Sequence, residues 1–130
     1  MISGADLELL RQAEQVAAVL EGERHTVAAA VRDHRGRVYT GVNLYHFTGG
    51  PCAEPVALAV AAANNAGTLE LIVAVGNRGR GVLAPCGRCR QILFDYFPDI
   101  EVLVQGNGEV RRVGIRELLP YTYDWGAQQH

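Results

Sequence analysis

No apolar run in this chain approaches the ~20 residues that a membrane-spanning helix needs. The longest one near a motif, residues 56–63, stops far short. There is no basic excess either: 12 Lys and Arg face 14 Asp and Glu, a formal net charge of −2. A surface that tracks a nucleic-acid polymer usually shows a basic stripe, so a small molecule is the expected partner, not a polynucleotide or a membrane. The first residues carry Asp6, Glu8, Arg11 and Glu14, which leaves no apolar leader core. Cysteine is scarce, and Cys52, Cys86 and Cys89 cannot all pair within one chain. Without a leader, such a set points to metal or catalysis more than to disulfides. These absences predict a cytoplasmic location. No Pro/Ser-rich linker, charge block or repeat divides the sequence, so residues 1–130 read as one domain. An apolar fraction of 48% is enough for a core that needs no disulfide staples.

What is present has a clear order. Ser3-Gly4-Ala5-Asp6 resembles a capping box, and Leu7, Leu10, Ala13, Ala17 and Leu20 follow at helical spacing, predicting a first helix that ends near Glu21 and Gly22. Residues 25–32 and 38–43 predict strands joined in a hairpin at Asp33-His34-Arg35-Gly36. Pro51 precedes an Ala-rich helix over 53–66, with Gly67 as its stop. Residues 71–75 are wholly apolar, the pattern of a strand covered on both faces. A glycine-rich loop over 77–81 leads to Pro85 and a helix over 87–97, which Pro98 ends. Strands over 100–104 and 109–113 and a short helix over 115–119 complete an α/β pattern, with a mixed sheet between helices.

The strongest chemical signal is Cys52-Ala53-Glu54 together with Pro85-Cys86-Gly87-Arg88-Cys89. Zn²⁺ favours thiolate and imidazole ligands in a tetrahedron, and Cys-x-x-Cys supplies two adjacent corners with Cys52 as a third. Both segments fall at predicted helix starts, where free N–H groups and the positive dipole end stabilise thiolates. Three thiolates and one Zn²⁺ leave a charge of −1, which the helix ends and Arg88 would offset. With three ligands the fourth corner is open to water, the arrangement of a catalytic zinc that lowers the pKa of its water to about 7. Glu54 is then placed to shuttle a proton without touching the metal. Two plainer readings stand beside this one. The set could form a structural Cys₃His site closed by His46 or His25, or the Cys-x-x-Cys could be a redox pair. Neither explains Glu54, and the redox reading also leaves out Cys52.

Cys-Ala-Glu followed by Pro-Cys-x-x-Cys resembles the signature of the cytidine deaminase superfamily in its three-cysteine form. The run Gly41-Val42-Asn43-Leu44-Tyr45-His46-Phe47-Thr48-Gly49-Gly50-Pro51-Cys52-Ala53-Glu54 is similar to the blasticidin S deaminase branch. So are Gly76-Asn77 with Arg80-Gly81, the Pro85 to Gln91 segment, and Val113 through Pro120. The likeness spans about residues 25–125. It implies a three-layer α/β/α sandwich with a mixed five-stranded sheet, assembled as a homotetramer. It also implies one Zn²⁺ per chain on Cys52, Cys86 and Cys89, and hydrolytic loss of the 4-amino group of cytosine through Glu54. Thr26, Arg80 and Tyr123 fall at positions of substrate contact.

Two departures from ordinary cytidine deaminases are informative. Tyr45 stands where they carry a ribose-gripping glutamate, and Pro55 where many carry an arginine near the thiolates. Asn43, at a strand end, is expected to touch the sugar, with Tyr45 beside it. Backbone groups around Cys52 and Ala53 are expected to hold the exocyclic amine. Tyr123 and Trp125 in the tail would either close the pocket or merely anchor the terminus. Three readings follow: a deaminase of blasticidin S or a similar cytosine nucleoside, a cytidine or deoxycytidine salvage deaminase, and a zinc-stabilised binding module without catalysis.

Overall fold

The computed structural model describes residues 2–128. Helix α1 (Gly4–Ala18) begins where Ser3 Oγ accepts the N–H of Asp6 at 3.2 Å. It ends three residues earlier than the periodicity predicts, because Val19 already caps it and the chain turns away through Gly22 at φ +78°. Strands β1 (Val27–Asp33) and β2 (Val38–Val42) form the expected hairpin. Helix α2 (Ala53–Ala63) also stops early, since Asn65, not Gly67, takes the left-handed conformation at φ +56°; asparagine tolerates that region better than most residues. Then come β3 (Leu69–Gly76), β4 (Gly81–Val82), α3 (Gly87–Tyr96), β5 (Glu101–Gly106) and β6 (Glu109–Gly114). A 3-10 turn (Ile115–Leu118) and a short α4 (Trp125–Gln128) complete the order. Among the described residues no helix is long and apolar enough to cross a membrane.

The sheet runs β2-β1-β3-β5-β6, with β3 and β5 parallel and every other pair antiparallel. It has six strands, not five, because β4 pairs with the end of β3. The connection is a two-residue turn with Arg78 at φ +56° and Gly79 at φ +71°, closed by Arg80 N–H donating to the Asn77 carbonyl at 3.2 Å. That is a type I′ geometry, whose first central residue is normally Asn, Asp or Gly. An arginine there gives no hairpin signal, so the sequence reads as plain loop.

Period-two alternation divides the core into two layers. Ala29, Val31, Ile72, Ala74 and Val102 face α2 and α3, packing on Ala57, Ala61 and Leu93. Ala28, Ala30, Leu71, Val73, Val75 and Leu103 face α1, packing on Leu9, Leu10, Ala13 and Ala17. The expected α/β/α sandwich follows directly. Small residues set its tightness: a Cβ on Gly41 would lie 2.6 Å from the backbone nitrogen of Ala57, so α2 rests directly on β2.

Asp6 ties α1 to the sheet. It is buried and accepts from Arg32 Nη1 at 3.0 Å and from Arg112 Nη1 at 3.1 Å. Arg32 also binds Glu70, and Arg112 binds Glu101. Burial alone would raise the Asp6 carboxyl, but the hydrogen bonds and charges of the two arginines hold it below its ordinary value. A depressed folded pKa contributes stability above the unfolded value of about 3.9, lost as pH falls through the folded one. Asp6→Ala is therefore expected to cost about 2 kcal/mol at pH 7. That is less than the 3–5 kcal/mol of a fully broken buried pair, because each arginine keeps a second carboxylate. Thermal melts from pH 7 to pH 3 should show the gap to wild type closing below about pH 4.

Candidate metal centre and active site

Cys52 and Cys86 are the N-cap residues of α2 and α3, both in extended conformation at φ near −70°. Cys89 lies one turn into α3 and is buried. The two helix starts bring the three Sγ atoms within 4.8 Å of one another. A tetrahedral zinc with Zn–S of about 2.3 Å places two of its sulfurs about 3.8 Å apart; Cys52 Sγ and Cys86 Sγ are 3.7 Å apart. The donor set therefore fits zinc and could hold it as it stands. All three cysteines are free.

The thiols need a cation to ionise together. Burial raises the Cys89 thiol well above a free one, and the nearby Glu54 charge adds to that. Burial likewise raises Cys52. For Cys86 burial pulls the same way but is outweighed by the N–H groups of Cys89 and Arg88 and by the other two sulfurs, so its thiol is lowered. Arg88 thus reaches the cluster through its backbone N–H. Its side chain is exposed and pairs with no carboxylate among the described residues.

Glu54, in the first turn of α2, is only 6% exposed, and its Oε1 lies 3.8 Å from Cys89 Sγ. Burial raises its carboxyl above the ordinary range, against the opposing pull of its own N–H and the Cys89 thiol. A buried carboxyl raised in this way beside a cleft is the kind of group that serves as a general acid–base. Beside it opens a cleft of about 150 Å³ lined by Val27, Asn43, Cys52, Ala53, Glu54, Ala74, Leu83, Ala84 and Cys86. Apolar walls with a few convergent polar groups are the usual form of a small-ligand site.

Asn43 lines this cleft but is already occupied. Its Oδ1 accepts from Thr26 and Val27 N–H at 2.7 and 3.0 Å, and its Nδ2 donates to Thr26 Oγ1 at 3.0 Å. Thr26 stands just behind the wall as its partner. Arg80 reaches Thr26 from the other side, with Nη2 on the Thr26 carbonyl and Nε on the Asn77 carbonyl. Tyr45 is 73% exposed, and neither it nor Tyr123 nor Trp125 lines the cleft of its own chain. Trp125 lies instead in a groove with Phe94, Asp95 and Arg116. His25 Nδ1 engages the Asn43 carbonyl and His46 Nδ1 engages Thr48; among the described residues no histidine joins the thiols.

Two contributors escaped the sequence reading. Arg90 grips the Pro85 carbonyl at 2.8 Å and the Leu118 carbonyl at 3.2 Å, fixing the loop that carries Cys86. It is the residue after Cys89, and an arginine beside a metal loop gives no hint that its partners are carbonyls. A Cβ on Gly50 would lie 1.6 Å from the Leu44 carbonyl, so the loop before Cys52 folds only with glycine there.

Two helix N-termini presenting three thiols, with a buried carboxyl beside them on an α/β/α sandwich, have the make-up of a catalytic zinc site. Comparison with known proteins agrees. Residues 4–104 match the cytidine and deoxycytidylate deaminase zinc-binding region. The chain is similar to blasticidin-S deaminase of Bacillus cereus, at 36% identity covering 94% of each. It is also similar to cytidine deaminase of Mycobacterium tuberculosis, at 36% identity covering 75% of this chain and 71% of that one. The solved cytidine deaminase of Mycobacterium tuberculosis superposes with a TM-score of 0.72 at 32% identity, over 91% of this chain and 97% of that one. The one from Burkholderia pseudomallei gives 0.74 at 29%, over 94% and 100%. The chain belongs to the cytidine and deoxycytidylate deaminase family.

Metal analysis of gently purified protein is expected to find about one zinc per chain. Cys89→Ala should weaken retention at least ~10-fold, since loss of even an outer partner costs that much. Acidification should release the metal, because the thiols bind only without their protons. Full zinc in Cys89→Ala would exclude this ligand set.

Proposed function

We propose that this chain, as a single domain over residues 1–130 in the cytoplasm, hydrolyses the 4-amino group of a small cytosine nucleoside, blasticidin S or one like it, releasing ammonia. The observation that carries the reading is the buried Glu54 carboxyl beside Cys52, Cys86 and Cys89 at an apolar-walled cleft. Cys52, Cys86 and Cys89 would hold the zinc, which would supply Lewis acidity to a water beside Glu54. Glu54 takes a proton from the water that attacks C4 and passes it to N3 of the ring. It then carries the second proton to the departing amine, so that the C4–N4 bond breaks and C4 keeps the oxygen. Val27, Ala74 and Leu83 keep bulk water from the ring, and backbone groups around Cys52 and Ala53 steady the amine. Asn43 has one amide hydrogen left for a sugar hydroxyl.

Tyr45 in place of a glutamate supports a substrate other than a plain riboside, since a phenol cannot accept two bonds from a diol as a carboxylate can. The likeness to a blasticidin-S deaminase over 94% of the chain points the same way. Arg80 supports a substrate with a carboxylate. Because Nε and Nη2 are engaged, only Nη1 remains free for a charge-assisted bond to such a carboxylate. Cytidine or deoxycytidine salvage is the second reading, favoured by the Asn43 amide at the cleft. Assembly as a homotetramer is supported by the exposed aromatics Tyr45, Phe47, Tyr121, Tyr123 and Trp125 and by an apolar groove along α2 and α3. In such an assembly Tyr45, Tyr123 and Trp125 would reach a neighbouring subunit's cleft.

Glu54→Gln should keep its zinc and fold while turnover falls ~100-fold or more. Ammonia release from that variant near the wild-type rate would rule out Glu54 as the proton shuttle. Comparing blasticidin S, cytidine and deoxycytidine, we expect the first to have the highest kcat/KM. Arg80→Ala should cut that value about tenfold, the equivalent of one bond of about 1.5 kcal/mol. If cytidine is best and Arg80→Ala changes nothing, the salvage reading replaces this one.

A further inference from the structure

Asn77 belongs to none of the roles above, yet it is among the few buried polar residues, 3% exposed. Its backbone N–H donates to the Thr26 carbonyl at 2.9 Å, and its carbonyl accepts from Arg80 N and from Arg80 Nε, both at 3.2 Å. Its side-chain Oδ1 accepts from Arg80 Nη2 at 3.1 Å. Its Nδ2 is buried and has no hydrogen-bond partner among the described residues. An unpartnered buried donor lowers stability, so stability alone does not account for an amide at this position.

The guanidinium explains it. Arg80 is exposed and enters no ion pair among the described residues, yet three neutral acceptors, Thr26 O, Asn77 O and Asn77 Oδ1, hold it in one orientation. Gly76 completes the seat, because a Cβ there would lie 2.8 Å from Arg80 Nε. An arginine normally forfeits side-chain entropy when it is fixed, and a fixed fork has lost that freedom before a ligand arrives. A carboxylate in the place of the Asn77 amide would hold the same fork but cancel its charge. The amide holds it and leaves the charge whole, facing outward from a residue that touches Thr26, which in turn clamps Asn43 in the cleft wall.

We propose that Asn77 is a positioning residue that orients the Arg80 guanidinium without neutralising it, so that the rim of the cleft selects cytosine nucleosides bearing an anionic group. This rests on the reading that Arg80 meets a substrate carboxylate. The test compares Asn77→Asp and Asn77→Ala with wild type and Arg80→Ala, using blasticidin S and cytidine as probes, with KM and kcat measured separately and melting temperatures recorded. Asn77→Asp should melt at or above the wild-type temperature, since it removes the orphan donor and adds an ion pair. Its KM for blasticidin S should nevertheless rise about tenfold, with kcat little changed, and the ratio of kcat/KM for blasticidin S over cytidine should fall by about the same factor. Asn77→Ala should shift that ratio the same way by a smaller factor.

An Asp variant that keeps the wild-type ratio, or loses activity on both substrates equally, overturns the proposal while leaving the role of Arg80 intact if Arg80→Ala still lowers the ratio. If Arg80→Ala does not lower it, the carboxylate reading falls first and the role of Asn77 falls with it.

Discussion

Two helices begin at cysteines, and their N-termini meet with sulfurs 3.7 Å apart. Most of what surrounds the site follows from the need to hold that meeting. Without a cation the three thiols do not ionise together, since burial first and then their neighbours push Cys52 and Cys89 up while Cys86 is lowered. A metal that ionises them contributes its binding energy to the folded state, because no such cluster exists in the unfolded chain. The backbone details nearby secure the two helix starts. Gly41 lets α2 lie on β2, Gly50 lets the preceding loop cross the Leu44 carbonyl, and Arg90 ties the Pro85 carbonyl to the 3-10 turn.

The strong ion pairs lie elsewhere. Asp6 with Arg32 and Arg112 sits on the α1 side of the sheet, with Glu70 and Glu101 completing the network. Asp33 accepts from the N–H groups of Arg35, Arg37 and Gly67 and from Arg37 Nε, locking the hairpin to the start of β3. Burial would raise this carboxyl, but those four bonds hold it well below the ordinary range. Fixed charge is thus concentrated away from the cleft, and near the thiols the field comes from helix ends and backbone N–H groups. Such dipoles need no reorganisation as charge moves during a reaction.

The sequence disclosed the parts of this arrangement that rest on local chemistry. The order of elements and the wholly apolar run over 71–75 pointed to a mixed sheet between helices, and prolines before Cys52 and Cys86 marked helix starts that the structure contains. Cys-Ala-Glu with Pro-Cys-x-x-Cys marked the residues that come together. Errors arose where backbone conformation depended on tertiary fit. Asn65 displaced Gly67 as the helix stop, and Arg78 made a type I′ turn that no composition rule announces. Arg80 was legible as a cation but not as one whose Nε and Nη2 are spoken for. Tyr45 and Trp125 lie outside the cleft of their own chain, and a single chain does not decide the roles expected of them.

This difference between what was legible and what was not matches a division of labour in the molecule. The residues proposed for the chemistry, Cys52, Glu54, Cys86 and Cys89, sit in the first turns of two helices packed on the sheet, where a shift of position would open the core. Those proposed for substrate choice sit on the β3–β4 turn, on the loop after β2 and in the tail, where backbone conformation is irregular and side chains are exposed. Rigid elements hold reacting atoms to the small tolerances that catalysis needs, whereas loops tolerate changes of sequence and length at small cost. Substrate preference can therefore change by altering a turn such as Asn77-Arg78-Gly79-Arg80 while the thiols and the carboxyl stay fixed. On the proposed function, cytosine would meet the rigid floor while the sugar and its substituents would extend toward Arg80, whose guanidinium is held by neutral acceptors and keeps its charge.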